Sequence, residues 1–279
     1  MSLYSAGIVV ALKVEAEALT AKSVRPECLM PLADGCVLWL SGMGPEAARK
    51  AAQALADAGA GALATFGVAG ALDAGLRSGT LLCPHGVLDG DGRTYMTDPA
   101  WCGRLRKRLA SAGLPVVSGI TLLSSCRALS TPEAKMAAHS RYAAAAVDME
   151  SAAVAAVAAD RNLPFATLRA IVDERDDALP EALQAAIGPW GQPQLPRLIA
   201  TLARRPWLLS RLPRLSSCMD KALRALRAAA KSRSQPGSAS RLAMRGDMIE
   251  SAADFRMPGA TFAPLLQVVT GAHAVIRLL

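Results

Sequence analysis

The sequence lacks the cysteine and histidine patterns that mark metal sites and disulfide frameworks. It contains six cysteines and three histidines, but no Cys-x-x-Cys pair and no His-x-x-x-His pair. A zinc site or a small disulfide-bonded domain requires close spacing of this kind. We therefore expect no metal ion and no other cofactor, and a reducing compartment in which the thiols stay free.

Long apolar runs are also missing. A helix that spans a membrane needs about 20 predominantly apolar residues, and no segment of the sequence fits that description. The first residues do not form a basic segment followed by an apolar stretch, the pattern typical of a secretory signal. We expect a cytoplasmic protein and leave open a peripheral attachment to the inner face of a membrane.

Aromatic residues make up only 4% of the sequence, whereas hydrophobic residues make up 52%. The core must therefore be built from alanine, valine and leucine. Apolar segments alternate with Ala-rich helical stretches, which favours an α/β fold with a mostly parallel or mixed central sheet flanked by helices. Strands are predicted at residues 7–12, 36–41, 62–68, 80–84, 115–123, 143–147 and 165–172.

The character of the chain changes in its last third. Residues 194–231 are predicted to form a helical extension rich in leucine and arginine, interrupted at Pro206 and Pro213. A polar, Ser-rich stretch follows, as is typical of a linker. We expect residues 1–231 to form one domain that includes this extension, and residues 232–279 to form a linker and a tail.

Positive charge is concentrated in the same region. The net charge is +8, and residues 197–245 contain a single acid, Asp220, among many bases. Residues 218–231 form a predicted amphipathic helix, which either packs on the domain or contacts an anionic membrane surface. Its apolar face consists of Met219, Leu223, Leu226 and Ala230, and its basic face of Lys221, Arg224, Arg227 and Lys231.

Carboxylates and glycine turns follow the predicted strands, where ligand sites of open α/β sheets lie. These positions hold Glu15, the turns at 42–44 and 67–70, Met149 with Glu150, and Asp173. One buried carboxyl can donate a proton to a leaving base, and a second can orient a water molecule. A third can accept both hydroxyls of a ribose, because an ionised carboxylate only accepts hydrogen bonds. The set favours cleavage of a glycosidic bond.

Five segments carry a resemblance to one enzyme superfamily. Residues 147–153, Val-Asp-Met-Glu-Ser-Ala-Ala, resemble the Met-Glu ribose motif of nucleoside phosphorylases and of methylthioadenosine/S-adenosylhomocysteine nucleosidases. Residues 169–173, Arg-Ala-Ile-Val-Asp, resemble the strand that ends in the purine-binding aspartate of that superfamily. Residues 11–15 are similar to its first strand and water-holding glutamate, and residues 41–44 and 66–70 to its glycine turns. The resemblance implies the nucleoside phosphorylase fold.

The resemblance also implies roles for individual residues. Glu15 would position the attacking water or the ribose, and Asp173 would protonate or hydrogen-bond N7 of the departing purine. Met149 would pack against the sugar, and Glu150 would bind its 2′- and 3′-hydroxyls. Val68 stands where the nucleosidases carry a serine that helps to hold water or phosphate. The backbone would approach the sugar or an anion at Gly42, Gly44 and Gly70.

The implied activity is cleavage of the N-glycosidic bond of a purine nucleoside, with adenine as the base and water or phosphate as the nucleophile. The Arg- and Pro-rich C-terminal helices also resemble those of hopanoid-associated phosphorylases, which are associated with removal of adenine from adenosylhopane. A small-molecule nucleoside and a lipid-linked nucleoside are therefore both candidate substrates. Dimers are common in the superfamily, so we expect a homodimer.

Two other functions fit parts of the sequence. Residues 42–47 match the Gly-x-Gly-x-x-Ala pattern of an NAD(P)-dependent oxidoreductase, but the next predicted strand ends without the acid that would hold a ribose. A non-catalytic protein bound to a membrane surface would use the basic segment. Nucleic-acid binding is not expected, because no aromatic residues interleave with the bases.

Overall fold

A computed structural model describes residues 3–233, within which eleven strands form one mixed sheet. The strands are β1 (Gly7–Val10), β2 (Met30–Pro31), β3 (Val37–Leu40), β4 (Leu63–Ala71), β5 (Leu81–Cys83), β6 (Gly86–Asp89), β7 (Thr94–Met96), β8 (Val116–Ser118), β9 (Thr121–Ser124), β10 (Ala146–Asp148) and β11 (Phe165–Ile171). The helices are α1 (Lys13–Leu19), α2 (Pro45–Asp57), α3 (Pro99–Ser111), α4 (Pro132–Tyr142), α5 (Ser151–Asp160), α6 (Glu181–Gln184), α7 (Leu195–Arg204) and α8 (Leu212–Arg233), with a 3₁₀ helix at Pro206–Ser210. The predicted α/β fold, with a mixed sheet, flanking helices and a helical C-terminal part, is confirmed.

Strand β4 lies at the centre of the sheet. Its first part pairs in parallel with β1 on one side and with β11 on the other. Its last two residues, Gly70 and Ala71, pair antiparallel with β10. The three strands that precede the predicted carboxylates, β1, β10 and β11, therefore all border β4.

Small side chains allow helices to pack on both faces of this sheet. The side chains of β1 face the helices on both sides of the sheet in turn. Val9 packs in a cluster with α2 and α5, whereas Ile8 and Val10 pack with α1 and α8. This alternation is the period of two that a strand imposes on its side chains. Every residue of α5 from Ser151 to Ala158 is buried. The alanine-rich core expected from the composition is thus what holds the layers together.

The amphipathic segment predicted at 218–231 lies within α8. Its apolar residues Leu223, Leu226 and Ala230 are buried in the cluster that includes β1, whereas its four bases are exposed. The apolar face therefore belongs to the domain core and is not free to enter a membrane. In the part of the chain that the structure describes, no helix is both long enough and apolar enough to cross a bilayer.

Several local predictions are wrong. The single strand expected at 115–123 is two strands, β8 and β9, separated at Gly119, which has a φ of +73°. Pro213 does not interrupt a helix but lies in the first turn of α8, where its missing N–H group has no helical partner to lose. Strands β2, β6 and β7 were not predicted, since β2 contains Pro31 and the other two each offer only two consecutive apolar residues. Helix α8 ends at Arg233, and the rest of the predicted linker and tail lies outside the described residues.

Candidate active site

The candidate active site is a cavity past the carboxyl ends of β1, β10 and β11. Six of the predicted site residues line it together: Glu15, Val68, Gly70, Met149, Glu150 and Asp173. Much of the remaining wall is apolar, as is usual for a cavity that takes a small organic ligand. Glu15 and Asp173 follow strands that run parallel to β4, whereas Glu150 follows β10, which runs antiparallel to the far end of β4. The three carboxylates therefore converge beside residues 68–70 of β4, which also line the cavity.

Glu15 is buried in the first turn of α1. Its carboxylate accepts the backbone N–H of Leu12 at 2.9 Å and that of Val68 at 2.7 Å. The first bond caps the helix, and the second fixes the carboxylate against β4. Burial raises the pKa of Glu15, and the Arg169 guanidinium opposes that rise. Each oxygen accepts one backbone bond and retains capacity for a second, so the group can also hold a ligand.

Glu150 is buried between the end of β10 and the start of α5. One of its oxygens accepts the backbone N–H of Gly44 at 2.8 Å, and the other accepts that of Met149 at 3.2 Å. Burial raises the pKa of Glu150 to about 7, the Asp148 carboxylate adds to the rise, and Arg169 opposes it. Gly44 therefore acts on the site through the Glu150 side chain that it fixes.

The turn at 42–44 reaches the cavity through a different residue, Met43. Gly42 has a φ of +89°, and a Cβ there would lie 3.2 Å from the carbonyl oxygen of Pro189 and 3.3 Å from Nε1 of Trp190. The Met43 N–H donates to the same Pro189 carbonyl at 2.8 Å. The structure places Gly42 against the segment that precedes α7, rather than in the cavity wall where the sequence placed it.

The same turn counts against a dinucleotide site. A pyrophosphate bound at a helix N-terminus needs backbone N–H groups that are free to donate to it. Here the Gly44 N–H donates to the Glu150 carboxylate, at the N-terminus of α2. A pyrophosphate at this position would find the Gly44 N–H already engaged and would be repelled by the Glu150 carboxylate.

Asp173 follows β11 and is held by a buried lysine of α4. The Lys135 ammonium donates to Oδ2 of Asp173, and also to the backbone carbonyls of Glu174 at 2.8 Å and Asp177 at 3.0 Å. Burial raises the pKa of Asp173, and the Lys135 charge acts in the opposite direction. A Cβ at Gly70 would lie 3.1 Å from Oδ2, so a glycine leaves room for the carboxylate.

Arg169 is a buried cation that lies close to three acids of the site, Asp148, Glu15 and Glu150. Its Nη2 pairs with Oδ2 of Asp148 at 2.5 Å, and both side chains are almost fully buried. Its charge also holds down the pKa values of Glu15 and Glu150. Gly67 makes room for this group, because a Cβ there would lie 2.6 Å from Nη1 of Arg169 and even closer to Glu15 Oε1. One guanidinium thus offsets part of the repulsion between three neighbouring carboxylates.

The sequence did not assign roles to Lys135 and Arg169. Arg169 offered a usable signal, since the only charged residue in a strand of seven, Phe165–Ile171, must find a partner when the strand is buried. The sequence offered no such signal for Lys135, because a lysine in the predominantly polar helix α4 is expected to lie at the surface. Its partner Asp173 is distant in sequence and becomes a neighbour only in the folded chain.

Known structures resemble this fold over most of its length. A 5′-methylthioadenosine/S-adenosylhomocysteine nucleosidase of Helicobacter pylori, solved with a nucleoside analogue, is 18% identical and superposes with a TM-score of 0.60 over 84% of this chain and 97% of its own. A futalosine hydrolase of the same organism is 17% identical, with a TM-score of 0.60 over 83% and 96%. A nucleosidase from Neisseria meningitidis, in complex with methylthio-immucillin-A, is 18% identical, with a TM-score of 0.60 over 82% and 97%.

At this level of identity, the structural comparisons establish the fold. A comparison with curated proteins finds no sequence match. A sequence model of the phosphorylase superfamily matches residues 7–203, a range that includes every strand and every residue lining the cavity. The resemblance seen in the sequence motifs is confirmed, and the chain belongs to the phosphorylase superfamily.

Proposed function

We propose that the protein cleaves the N-glycosidic bond of a purine nucleoside. The observation that carries the proposal is the meeting of three carboxylates in one largely apolar cavity: Glu15 and Glu150, which are buried, and Asp173, which is partly buried. Cleavage of this bond needs a proton for the leaving base, a held nucleophile and a fixed sugar. Each carboxylate is suited to one of those tasks.

Asp173 is the proposed acid. Lys135 occupies its Oδ2, which leaves Oδ1 to carry a proton toward N7 of the purine. As the bond between C1′ and N9 breaks, its electron pair enters the base, and the proton from Asp173 neutralises the charge that develops there. A water molecule then adds to C1′ and transfers its proton to Glu15. The products are the free base and the sugar.

Glu150 and Met149 are the proposed sugar-binding residues. A carboxylate that accepts hydrogen bonds from the 2′- and 3′-hydroxyls would fix the ribose, and Met149 would pack against its apolar side. Because the pKa of Glu150 is about 7, lowering the pH through that value protonates the carboxyl and removes an acceptor. Affinity for a ribonucleoside should therefore decline as the pH falls below neutrality.

The charge of the cavity favours water over phosphate as the nucleophile. Four acids line it, Glu15, Asp148, Glu150 and Asp173, and Arg127 is the single base in the lining that the structure describes. Asp148 is paired with Arg169, and Asp173 carries a proton in the proposed reaction. A phosphate dianion at C1′ would still face repulsion from Glu15 and Glu150, whereas a neutral water would not. Val68 supplies a backbone N–H to Glu15, and its side chain cannot donate a hydrogen bond to phosphate.

Lys135 is the proposed positioning residue for the acid. It joins Asp173 to the backbone of the loop that follows, so it fixes the direction of the carboxyl as well as its charge. Replacing Lys135 by methionine should lower kcat by roughly ten- to a hundredfold, the cost of a misplaced catalytic group. The pH above which activity declines should rise, because the pKa of Asp173 is no longer held down.

Steady-state rates measured over a range of pH would test the role of Lys135. Arg141→Met is the matched control, because Arg141 lies on the same helix but is exposed. A purely structural Lys135 would lower the amount of active enzyme without moving the pH profile. An unchanged profile in Lys135→Met would therefore remove Lys135 from the mechanism.

A change at Glu150 should discriminate between sugars. Glu150→Gln should weaken binding of a ribonucleoside, because the charge-assisted hydrogen bond that it loses contributes roughly 1.5–3 kcal/mol. Binding of the matching 2′-deoxyribonucleoside should weaken much less, since one of the two hydroxyls is already absent. Dissociation constants for the two ligands provide the measurement. Equal losses for both would mean that Glu150 only fixes the Gly44 turn.

For the substrate, we propose an adenine nucleoside whose 5′-group is apolar, with a lipid-linked nucleoside such as adenosylhopane as the specific candidate. The apolar cavity wall supports this choice, as does the resemblance of the C-terminal helices to those of hopanoid-associated phosphorylases. Leu12, Leu129 and Leu179 line the cavity and could contact such a group.

Release of adenine by the purified protein tests the proposed function. Adenosine, methylthioadenosine and a lipid-linked adenosine should each be incubated with and without phosphate. We expect adenine from at least one of them, fastest from the lipid-linked compound, and no dependence on phosphate. Strict phosphate dependence would show a phosphorylase and overturn the choice of water. No adenine from any of the three would favour a non-catalytic protein.

A further inference from the structure

Exposed apolar side chains are concentrated in the segment around α7. Among residues 3–233, nine large hydrophobic side chains are exposed, and four of them lie between residues 195 and 209. Helix α7 buries Leu198 in a small cluster with the 3₁₀ helix and the start of α8. The four exposed side chains are those of Leu195, Ile199, Trp207 and Leu209, which are 49%, 65%, 64% and 53% exposed. The local core therefore leaves them uncovered.

Unpaired positive charge accompanies these side chains. The sequence contains no acid between Glu181 and Asp220. Four exposed arginines lie in the same segment, and none of them forms an ion pair within the described part of the chain: Arg197, Arg204, Arg205 and Arg211. We call these arginines, together with the four exposed apolar side chains, the α7 surface.

The segments on either side of the α7 surface contact elements of the candidate site. The segment before α7 holds the turn at 42–44, because the Pro189 carbonyl accepts the N–H of Met43, which lines the cavity. On the other side, Nε of Arg214 in α8 donates to Asp177 at 2.7 Å, in the loop whose backbone also binds the lysine that holds Asp173. Whatever binds the α7 surface is therefore next to elements that shape the candidate site.

We infer that the α7 surface docks on an anionic membrane. A tryptophan and aliphatic side chains at the boundary between water and hydrocarbon, surrounded by arginines, match a bilayer whose surface is negatively charged. Nucleic acid would complement the arginines but would leave Ile199 and Leu209 uncovered. The inference adds a docking surface to the proposed reaction and does not depend on that reaction.

This assignment differs from the one that the sequence suggested. Residues 218–231 carry exposed bases, but their apolar face is packed in the domain core. That part of α8 can therefore attract a membrane only by charge. The α7 surface combines charge with apolar side chains that can insert, and the two contributions can be removed separately.

Co-sedimentation of the full-length protein with vesicles tests the inference. Vesicles of phosphatidylcholine alone should bind little, whereas equal parts of phosphatidylcholine and phosphatidylglycerol should bind the protein, and added salt should weaken the binding. Joint replacement of Ile199, Trp207 and Leu209 by serine should lower the partition coefficient at least about tenfold. Each arginine of the α7 surface changed to glutamine should lower it about fivefold, the equivalent of ~1 kcal/mol per base.

Two matched variants control for general effects. Replacing Leu29, Met96 and Met136 by serine removes three exposed apolar side chains elsewhere and should leave vesicle binding unchanged. Replacing the four bases on the exposed face of α8 by glutamine should reduce binding less than the same change on the α7 surface. Release of adenine from a soluble nucleoside should be the same in all variants, so failure of docking can be told apart from failure of the proposed reaction.

Three outcomes would overturn the inference. The first is a wild-type protein that ignores anionic vesicles at low salt. The second is binding that survives both changes to the α7 surface but is lost with the α8 bases. The third is binding of a duplex DNA probe that depends on the α7 arginines, together with no binding of vesicles.

Discussion

Replacing Asp173 by asparagine should reduce turnover of a purine nucleoside by about 10²–10⁴-fold, the usual contribution of a general acid. An amide can donate a hydrogen bond to N7 but cannot give up a proton to the departing base. The fold should be retained, because the amide oxygen can still accept from Lys135, which also keeps its two backbone carbonyls. Adenine release and circular dichroism of the same preparation provide the measurements.

The loop that follows β11 supplies a control for this variant. Asp176 is exposed, lies three residues from Asp173, and pairs with its neighbour Arg175 at the surface. Asp176→Asn makes the same substitution in the same loop and should leave turnover near the wild-type value. Near-normal turnover in Asp173→Asn would falsify the assignment of Asp173 as the acid.

Replacing Arg169 by methionine should be the most damaging change to stability. It would leave Asp148 buried without its partner and would remove the charge that offsets Glu15 and Glu150. Breaking a buried pair in this way costs about 3–5 kcal/mol, a large part of the roughly 5–15 kcal/mol by which domains are stable. Denaturant unfolding measures the loss. The loss should shrink at acidic pH, because protonated carboxyls no longer repel one another.

An exposed ion pair provides the comparison. Arg161 pairs with Asp57 at 2.8 Å, and both side chains are substantially exposed. Exposed pairs of this kind contribute about 0–1 kcal/mol, so Arg161→Met should barely change the free energy of unfolding. If Arg169→Met were no more destabilising than Arg161→Met, the interpretation of Arg169 as the buried counter-charge would be wrong.

The strand and helix pattern along the chain was largely predictable from local sequence. Apolar runs predicted β1, β3, β4, β5, β10 and β11, and Pro45 at the start of a helical stretch predicted α2. The missed strands are short, and β2 and β7 are held by antiparallel pairing with neighbours. The predicted strands β5 and β10 are equally short but lie in longer apolar runs, which none of the missed strands does.

The meeting of the carboxylates was only partly predictable from the sequence, and their partners were not. The rule that ligand sites lie past the carboxyl ends of parallel strands brings Glu15 and Asp173 together without any coordinates. Glu150 joins them although β10 runs antiparallel to β4, a reversal that the sequence did not reveal. Lys135 joins this group only because α4 packs beside the loop after β11, and no local pattern reports such packing. The same holds for Gly42. The sequence indicated a glycine turn at this position, but it did not reveal that the turn packs against Pro189.

The place of β4 in the sheet has a consequence for how the site opens. The three strands that precede the acids, β1, β10 and β11, all pair with β4. Displacing one of these strands would therefore also disturb β4 and, through it, the other two. Local opening is governed by such cooperative units, and the amides of β4 should be among the slowest to exchange with solvent. Any motion that widens the cavity would then come from wall segments outside the sheet, around Arg127 and Leu179.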